Sequence, residues 1–202
     1  MPTIYALKPR FQALLRPLTD RLAAAGVTAN QVTLAAAALS ALAGWAVAFQ
    51  SQARWPLLLL PIVLFLRMAL NAIDGILARE HGMKSPLGAI LNELGDVFSD
   101  VVLYAPLALV PGVNGWWVAV FALVLVISEM AGVVAVQIGA SRRYDGPLGK
   151  SDRAFAIGLI GLMLGLGAPA GVWLNGVFAV MSLLGLLTVL NRSKAALREI
   201  AA

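Results

Sequence analysis

One stretch of the chain reads Asn71-Ala72-Ile73-Asp74-Gly75-Ile76-Leu77-Ala78-Arg79, and beyond it Gly88, Asn92, Asp96 and Asp100 follow at four-residue intervals. The surrounding residues are apolar, and a carboxylate in hydrocarbon is costly unless it is paired, hydrated in a cavity or bound to a cation. Five acidic side chains lie in such stretches: Asp74, Glu93, Asp96, Asp100 and Glu129. At helical spacing Arg67, Asn71 and Asp74 share one face, while Asn92, Asp96 and Asp100 lie one turn apart on the next helix, with Glu93 on an adjacent face. A short loop joins the two helices, so they are expected to be antiparallel neighbours with Asp74 and Asp96 facing each other. Converging oxygen ligands suit a hard divalent cation such as Mg²⁺ or Mn²⁺. A carboxylate beside that cation could accept a proton from an attacking hydroxyl.

The elements that hold these residues are membrane helices. Hydrophobic residues make up 60% of the chain and charged residues 12%, and the mean hydropathy is +0.87, too apolar for a water-soluble domain. There is no cysteine, which excludes disulfides, zinc-thiolate sites, thiol nucleophiles and lipidated cysteines. Residues 1–25 contain Pro9 and Pro17 and carry Lys8, Arg10, Arg16, Asp20 and Arg21 among apolar residues. That pattern does not match a cleavable signal peptide and reads as an interfacial amphipathic segment on the cytoplasmic face.

Apolar stretches of about 20 residues, the length a spanning helix needs, fall at 31–50, 56–79, 86–111, 115–140, 154–169 and 171–190. Six transmembrane helices are expected; Gly167, Pro169 and Gly171 blur the last boundary and leave five as an alternative. With a cytoplasmic N-terminus, Arg79, Lys84, Arg142, Arg143, Lys150, Arg153, Arg192, Lys194 and Arg198 fall inside and only Arg54 outside. The positive-inside rule then places both termini in the cytoplasm. The sequence pI of about 10.1 follows from this topology and from anionic lipid head groups, with no nucleic acid required. Trp55, Trp116 and Trp117 fit the outer interface. The expected architecture is an all-α polytopic membrane protein of one domain, 1–202: an interfacial segment 1–25, a six-helix bundle 26–192 and a cytoplasmic tail 193–202.

The polar spacing resembles the signature of the CDP-alcohol phosphotransferases, D-x2-D-G-x2-A-R-x8-G-x3-D-x3-D. Asp74-Gly75, Ala78-Arg79, Gly88 and Asp96 fall at its fixed positions, and Asn30-Gln31-Val32-Thr33 supplies a family-like N-x2-T element at the first span. Asn71 and Asn92 stand where the family has its first and third aspartates. An amide contributes a carbonyl oxygen but no charge, so the site loses two negative charges. The resemblance implies that Asn71, Asp74 and Asn92, helped by Asp96, hold divalent metal against the diphosphate of CDP-diacylglycerol or another CDP-alcohol. It also implies that Asp96 activates the acceptor hydroxyl, that CMP is released, and that the protein is a homodimer. Asp100 or Glu93 could compensate for the missing charges. A second register, Asn92-x3-Asp96-x3-Asp100, keeps an acid pair at the right mutual spacing but loses Gly88.

Gly75 would let substrate approach the helix, and Arg79 offers forked donors to a phosphate. The resemblance makes Arg142, Arg143, Lys150 and Arg153 candidates for binding a polar alcohol acceptor, with glycerol 3-phosphate the first choice. As membrane-flanking cations they need no further purpose. Gly149-Lys150-Ser151 is no P-loop, because Tyr144 stands at the first glycine position and no strand precedes it. Arg67, Asp100 and Glu129 are expected to pair with one another or across a dimer interface. His81 is expected to be a solvated loop residue, and Gly44, Gly132, Gly158, Gly161 and Gly165 to permit close helix packing. Two other classes remain open: an ion-coupled transporter using Arg67, Asp74, Asp96, Asp100 and Glu129, and a non-catalytic relative that binds CDP-lipid. The expected location is the bacterial inner membrane.

Overall fold

A computed structural model describes residues 4–201, with side chains from Pro9 onward. Residues 1–3 of the expected interfacial segment, the Lys8 side chain and Ala202 of the expected tail lie outside the described residues. The described chain forms α1 (Ile4–Ala24), α2 (Ala29–Phe49), α3 (Trp55–Glu80), α4 (Pro86–Tyr104), α5 (Gly115–Val134), α6 (Lys150–Gly165) and α7 (Val172–Ile200). Short 3₁₀ turns at Ala105–Leu109 and Ala135–Ile138 follow α4 and α5, and no strand occurs among the described residues.

Among the described residues four stretches are long and apolar enough to cross a membrane: Ala29–Phe49, Trp55–Glu80, Gly115–Ile138 and Val172–Ile200. Between 33% and 44% of each apolar window is buried within the protein, so most of it needs cover from hydrocarbon, and the chain is an integral membrane protein. The other two expected spans, α4 and α6, are not among these four, for identifiable reasons. α4 carries Glu93, Asp96 and Asp100 within 19 residues and stops at Tyr104, because Pro106 lacks an N–H and sterically opposes a continued helix. α6 has 16 residues, about 24 Å at 1.5 Å per residue, short of the roughly 30 Å hydrocarbon core. α7 runs on to Ile200, so most of the expected tail is helix.

The chain divides into two compact units: residues 1–42 with 63–100, and residues 43–62 with 101–202. In the first unit, α1 ends in a Schellman turn at Gly26 (φ 78°), with Val27 N–H donating to Leu22 O at 2.9 Å and Gly26 N–H to Ala23 O at 3.0 Å. α2 begins at once with a capping box: Thr28 N–H donates to Gln31 Oε1 at 2.9 Å, and Gln31 N–H to Thr28 Oγ1 at 3.3 Å. Ala29, Val32, Ile73 and Leu77 form the core beneath this corner, and Leu15, Leu22 and Met83 close over it. Ser85 caps α4 by accepting from Gly88 N–H at 3.0 Å, and Pro86 occupies the first helical position, where its missing N–H costs nothing.

In the second unit α5 packs chiefly on α7. Tyr104, Phe121 and Phe178 stack in series with centroids 6.2 and 5.8 Å apart, all buried. Three of the glycines expected to permit close packing do so against backbone. A Cβ on Gly44 would lie 1.9 Å from Val102 O, one on Gly161 2.9 Å from Leu57 O, and one on Gly165 3.0 Å from Leu58 N. Gly132 instead makes room for Arg142, whose Nη1 would be 1.8 Å from an added Cβ.

Gly44→Ala is therefore expected to destabilise the protein by about 1–3 kcal/mol through overpacking against backbone that cannot yield. Gly176→Ala, where an added Cβ meets nothing within 4 Å, should stabilise α7 by about 0.5–1 kcal/mol. Thermal unfolding in detergent of both variants checks the opposite signs.

Candidate active site

The first unit gathers most of the polar residues singled out in the sequence. Asp74 is buried in α3, and its Oδ2 accepts from the Thr33 hydroxyl at 2.8 Å. Thr33 Oγ1 also lies 3.1 Å from Ala29 O, so the first turn of α2 orients the carboxylate. One turn earlier on α3, Asn71 Nδ2 donates to Asp96 Oδ1 at 3.3 Å. Arg67 is 2% exposed; its Nη2 donates to the Asp96 carbonyl at 3.0 Å and lies 3.7 Å from Asp96 Oδ1. Its Nη1 forms an ion pair with buried Asp100. Arg67 and Asn71 thus line the seam along which α3 meets α4, while Asp74 meets α2.

Asn30 and Gly88 are brought together, since a Cβ on Gly88 would lie 2.8 Å from Asn30 Oδ1. Gly75 serves Arg79: the guanidinium folds back so that its Nη2 and Nη1 would lie 3.0 and 3.1 Å from an added Cβ. That places forked donors over the turn that carries Asp74. Ala78 packs on the core cluster. Asn92, like Arg79, is exposed, and Glu93 is half-buried. His81 is half-buried rather than solvated, with Nε2 3.1 Å from Asp20 Oδ1, and beside it Arg16 forks onto Glu80 at 3.0 Å through two donors. These two pairs tie α1 to the end of α3.

Asp74, Asp96 and Asn71 offer carboxylate and amide oxygens and Thr33 a hydroxyl oxygen, a donor set that suits a hard divalent ion. Among the described residues no three His, Asp or Glu side chains converge as a metal-binding group. The two carboxylates would therefore be completed by the carbonyls of Asn71 and Asn92, by phosphate oxygens or by water. Their two charges fit one Mg²⁺ or Mn²⁺. An open apolar groove lined by Leu34, Ala37, Leu91, Leu94 and Phe98 reaches Thr33 and Gly95 in the same unit.

In the second unit, Glu129 is engaged by arginines. It lies near the end of α5, within reach of three arginines: Arg153 at 2.8 Å, Arg142 at 2.9 Å and Arg192 at 3.4 Å. Arg153 and Arg192 are 1% and 2% exposed. Arg192, expected only as a membrane-flanking cation, is the residue the spacing did not reveal, because its partner lies 63 positions away. Arg143 forks onto Asp145 at 2.8 and 3.0 Å and holds that loop carboxyl below its ordinary range. It also reaches Glu199 at 2.6 Å, and Glu199 accepts from Ser141 N–H and Oγ. Lys150 opens α6. Each arginine among the acceptor candidates is already engaged by a carboxylate, which sets its position before any ligand arrives.

The family model for CDP-alcohol phosphatidyltransferase matches residues 26–190. The chain belongs to that family, and it is an enzyme of the CDP-alcohol phosphotransferase class. It is 46% identical over 197 residues to Inner membrane protein YnbA of Escherichia coli K12, covering 96% of each chain. It is 30% identical to the archaetidylinositol phosphate synthase of Pyrococcus horikoshii, over 68% of this chain and 74% of that one. Its fold matches the Mycobacterium tuberculosis phosphatidylinositol phosphate synthase solved with manganese and citrate, with a TM-score of 0.74 at 18% identity over 89% and 87% of the two chains. The same enzyme with CDP-DAG bound gives a TM-score of 0.69.

Glu129→Gln leaves Arg153 and Arg192 buried without their counter-charge, and the expected cost is about 3–5 kcal/mol. Thermal unfolding in detergent measures it. A loss below about 1 kcal/mol would mean that the arginines are held instead by backbone carbonyls, Leu148 O for Arg153 and Asp145 O and Ser128 O for Arg192.

Proposed function

We propose that this chain transfers the phosphatidyl group of CDP-diacylglycerol to a polar alcohol and releases CMP. The observation that carries the proposal is the α2–α3–α4 constellation: Thr33 on Asp74, and Asn71 on Asp96. Asp74 and Asp96, with the carbonyls of Asn71 and Asn92, would hold Mg²⁺ or Mn²⁺ against the diphosphate. When bound, such an ion offsets the charge that builds on the phosphoryl oxygens. Arg79, folded over Gly75, supplies bidentate donors to the same phosphates. The alcohol oxygen bonds to the phosphorus that carries diacylglycerol, the bond from that phosphorus to the CMP oxygen breaks, and the alcohol proton passes to Asp96. The Asn30–Gly88 contact is the remaining substrate-side element, and the apolar groove beside Thr33 suits an acyl chain.

Glycerol 3-phosphate is the first acceptor to test. Arg142, Arg153 and Arg192 gather at the Glu129 carboxylate, and a basic cluster of this kind suits a phosphorylated alcohol; Arg143 and Lys150 stand in the same unit. Inositol phosphate has the same charge logic, and the names of the archaeal and mycobacterial relatives favour including it. The engagement of Glu129 of α5 by arginines supports the transferase reading over the ion-coupled carrier.

The proposal extends to topology: six membrane-embedded helices, α2–α7, with α1 lying at the cytoplasmic interface. Both termini would face the cytoplasm of a bacterial inner membrane, and the enzyme would be a homodimer. The exposed Leu14 and Leu18 of α1 support contact with lipid.

In lipid micelles, purified protein is expected to release CMP from CDP-diacylglycerol only with Mg²⁺ or Mn²⁺ and an acceptor. Asp96→Asn should lower the rate by about 10²–10⁴-fold, the usual worth of a positioned base. CDP-lipid binding with no turnover on any phosphorylated or neutral alcohol would favour the non-catalytic relative.

A further inference from the structure

The arrangement around Asp96 contains a cation of the protein's own. Arg67 is buried, its guanidinium is shared between the Asp100 carboxylate and Asp96, and it lies 3.7 Å from the same Oδ1 that accepts from Asn71. Four aspartates at the motif positions would carry four negative charges and balance two divalent ions. Here Asn71 and Asn92 leave two, which balance one. A second divalent ion at Asp96 would have to share that carboxylate with a guanidinium held in place from two sides, and like charges at such separations repel strongly where water is scarce.

We infer that Arg67 is a fixed cation of this site, standing at Asp96 in place of a second divalent ion, so that the protein binds one such ion per chain. The inference rests on the metal-holding role proposed above for Asp74 and Asp96. Arg67 is a positioning residue: it acts through Asp96, and Asp100 sets how much of its charge falls there. Removing Arg67 together with Asp100 leaves the charge of the pair unchanged but strips Asp96 of its cation. Removing Asp100 alone releases the guanidinium toward Asp96. The two changes should move metal affinity in opposite directions, whereas a purely structural ion pair predicts no change in either.

The test is a Mn²⁺ binding isotherm on the full-length protein in detergent, with free Mn²⁺ read by electron paramagnetic resonance. CMP release and thermal unfolding are followed on the same samples. The native chain should bind one Mn²⁺. Arg67→Met with Asp100→Asn should bind Mn²⁺ about tenfold more tightly, and adding Asn71→Asp and Asn92→Asp to that pair should raise the stoichiometry to two. Asp100→Asn alone should bind about tenfold more weakly, and it keeps the inference testable if the double variant does not fold. Two Mn²⁺, or none, on the native chain would overturn the inference, as would unchanged affinity in the folded variants. A native chain that binds one Mn²⁺ and responds as expected yet releases no CMP would sink the transferase proposal and leave this one standing.

Discussion

A carboxylate buried among apolar helices needs a cation fixed beside it, and both units of this protein are built around meeting that need. Removing an ion from water costs several kcal/mol even after relaxation, while a single pair at 4 Å returns only about 4 kcal/mol at an effective dielectric of 20. One contact therefore barely balances, and the structure supplies several. Arg67 uses one end of its fork on Asp100 and the other on the Asp96 carbonyl. Glu129 takes three guanidinium groups, and Gly132 is bare because Arg142 needs its space. Helix packing follows from these demands as much as from apolar contact.

Much of the site was legible because helical spacing is strict. Arg67, Asn71 and Asp74 recur at i, i+4 and i+7, and all three work along the α2–α3–α4 seam. The N-x2-T element was equally informative, since Asn30 reaches Gly88 and Thr33 reaches Asp74. The end of α4 at Tyr104 is written in Pro106, and the α1–α2 corner in Gly26 and the Thr28-x-x-Gln31 box.

What escaped the spacing was tertiary. Glu129 finds partners 13, 24 and 63 residues away, and no local period encodes such a meeting. Gly132 looked like a packing glycine because a missing side chain does not say whether a helix or a guanidinium fills the space. Two of the expected spans fall outside the four that length and composition identify, for a related reason. Apolar length is additive along a chain, whereas α4 combines an apolar run with Glu93, Asp96 and Asp100, and only neighbouring cations make that combination affordable.

Asn71 and Asn92, similar as departures from the family pattern, are physically different. An aspartate at 71 would lie one helical turn from Arg67 and would compete with Asp100 for a guanidinium that already reaches Asp96. With asparagine there, the amide donates to Asp96 instead of repelling it, so Asn71, Arg67, Asp96 and Asp100 form a mutually consistent set in which each residue type requires the others. Asn92 is exposed and outside that set; nothing in the packing opposes a carboxylate at its position. Charge at 71 is therefore constrained by the fold, while charge at 92 is constrained only by what the site must bind.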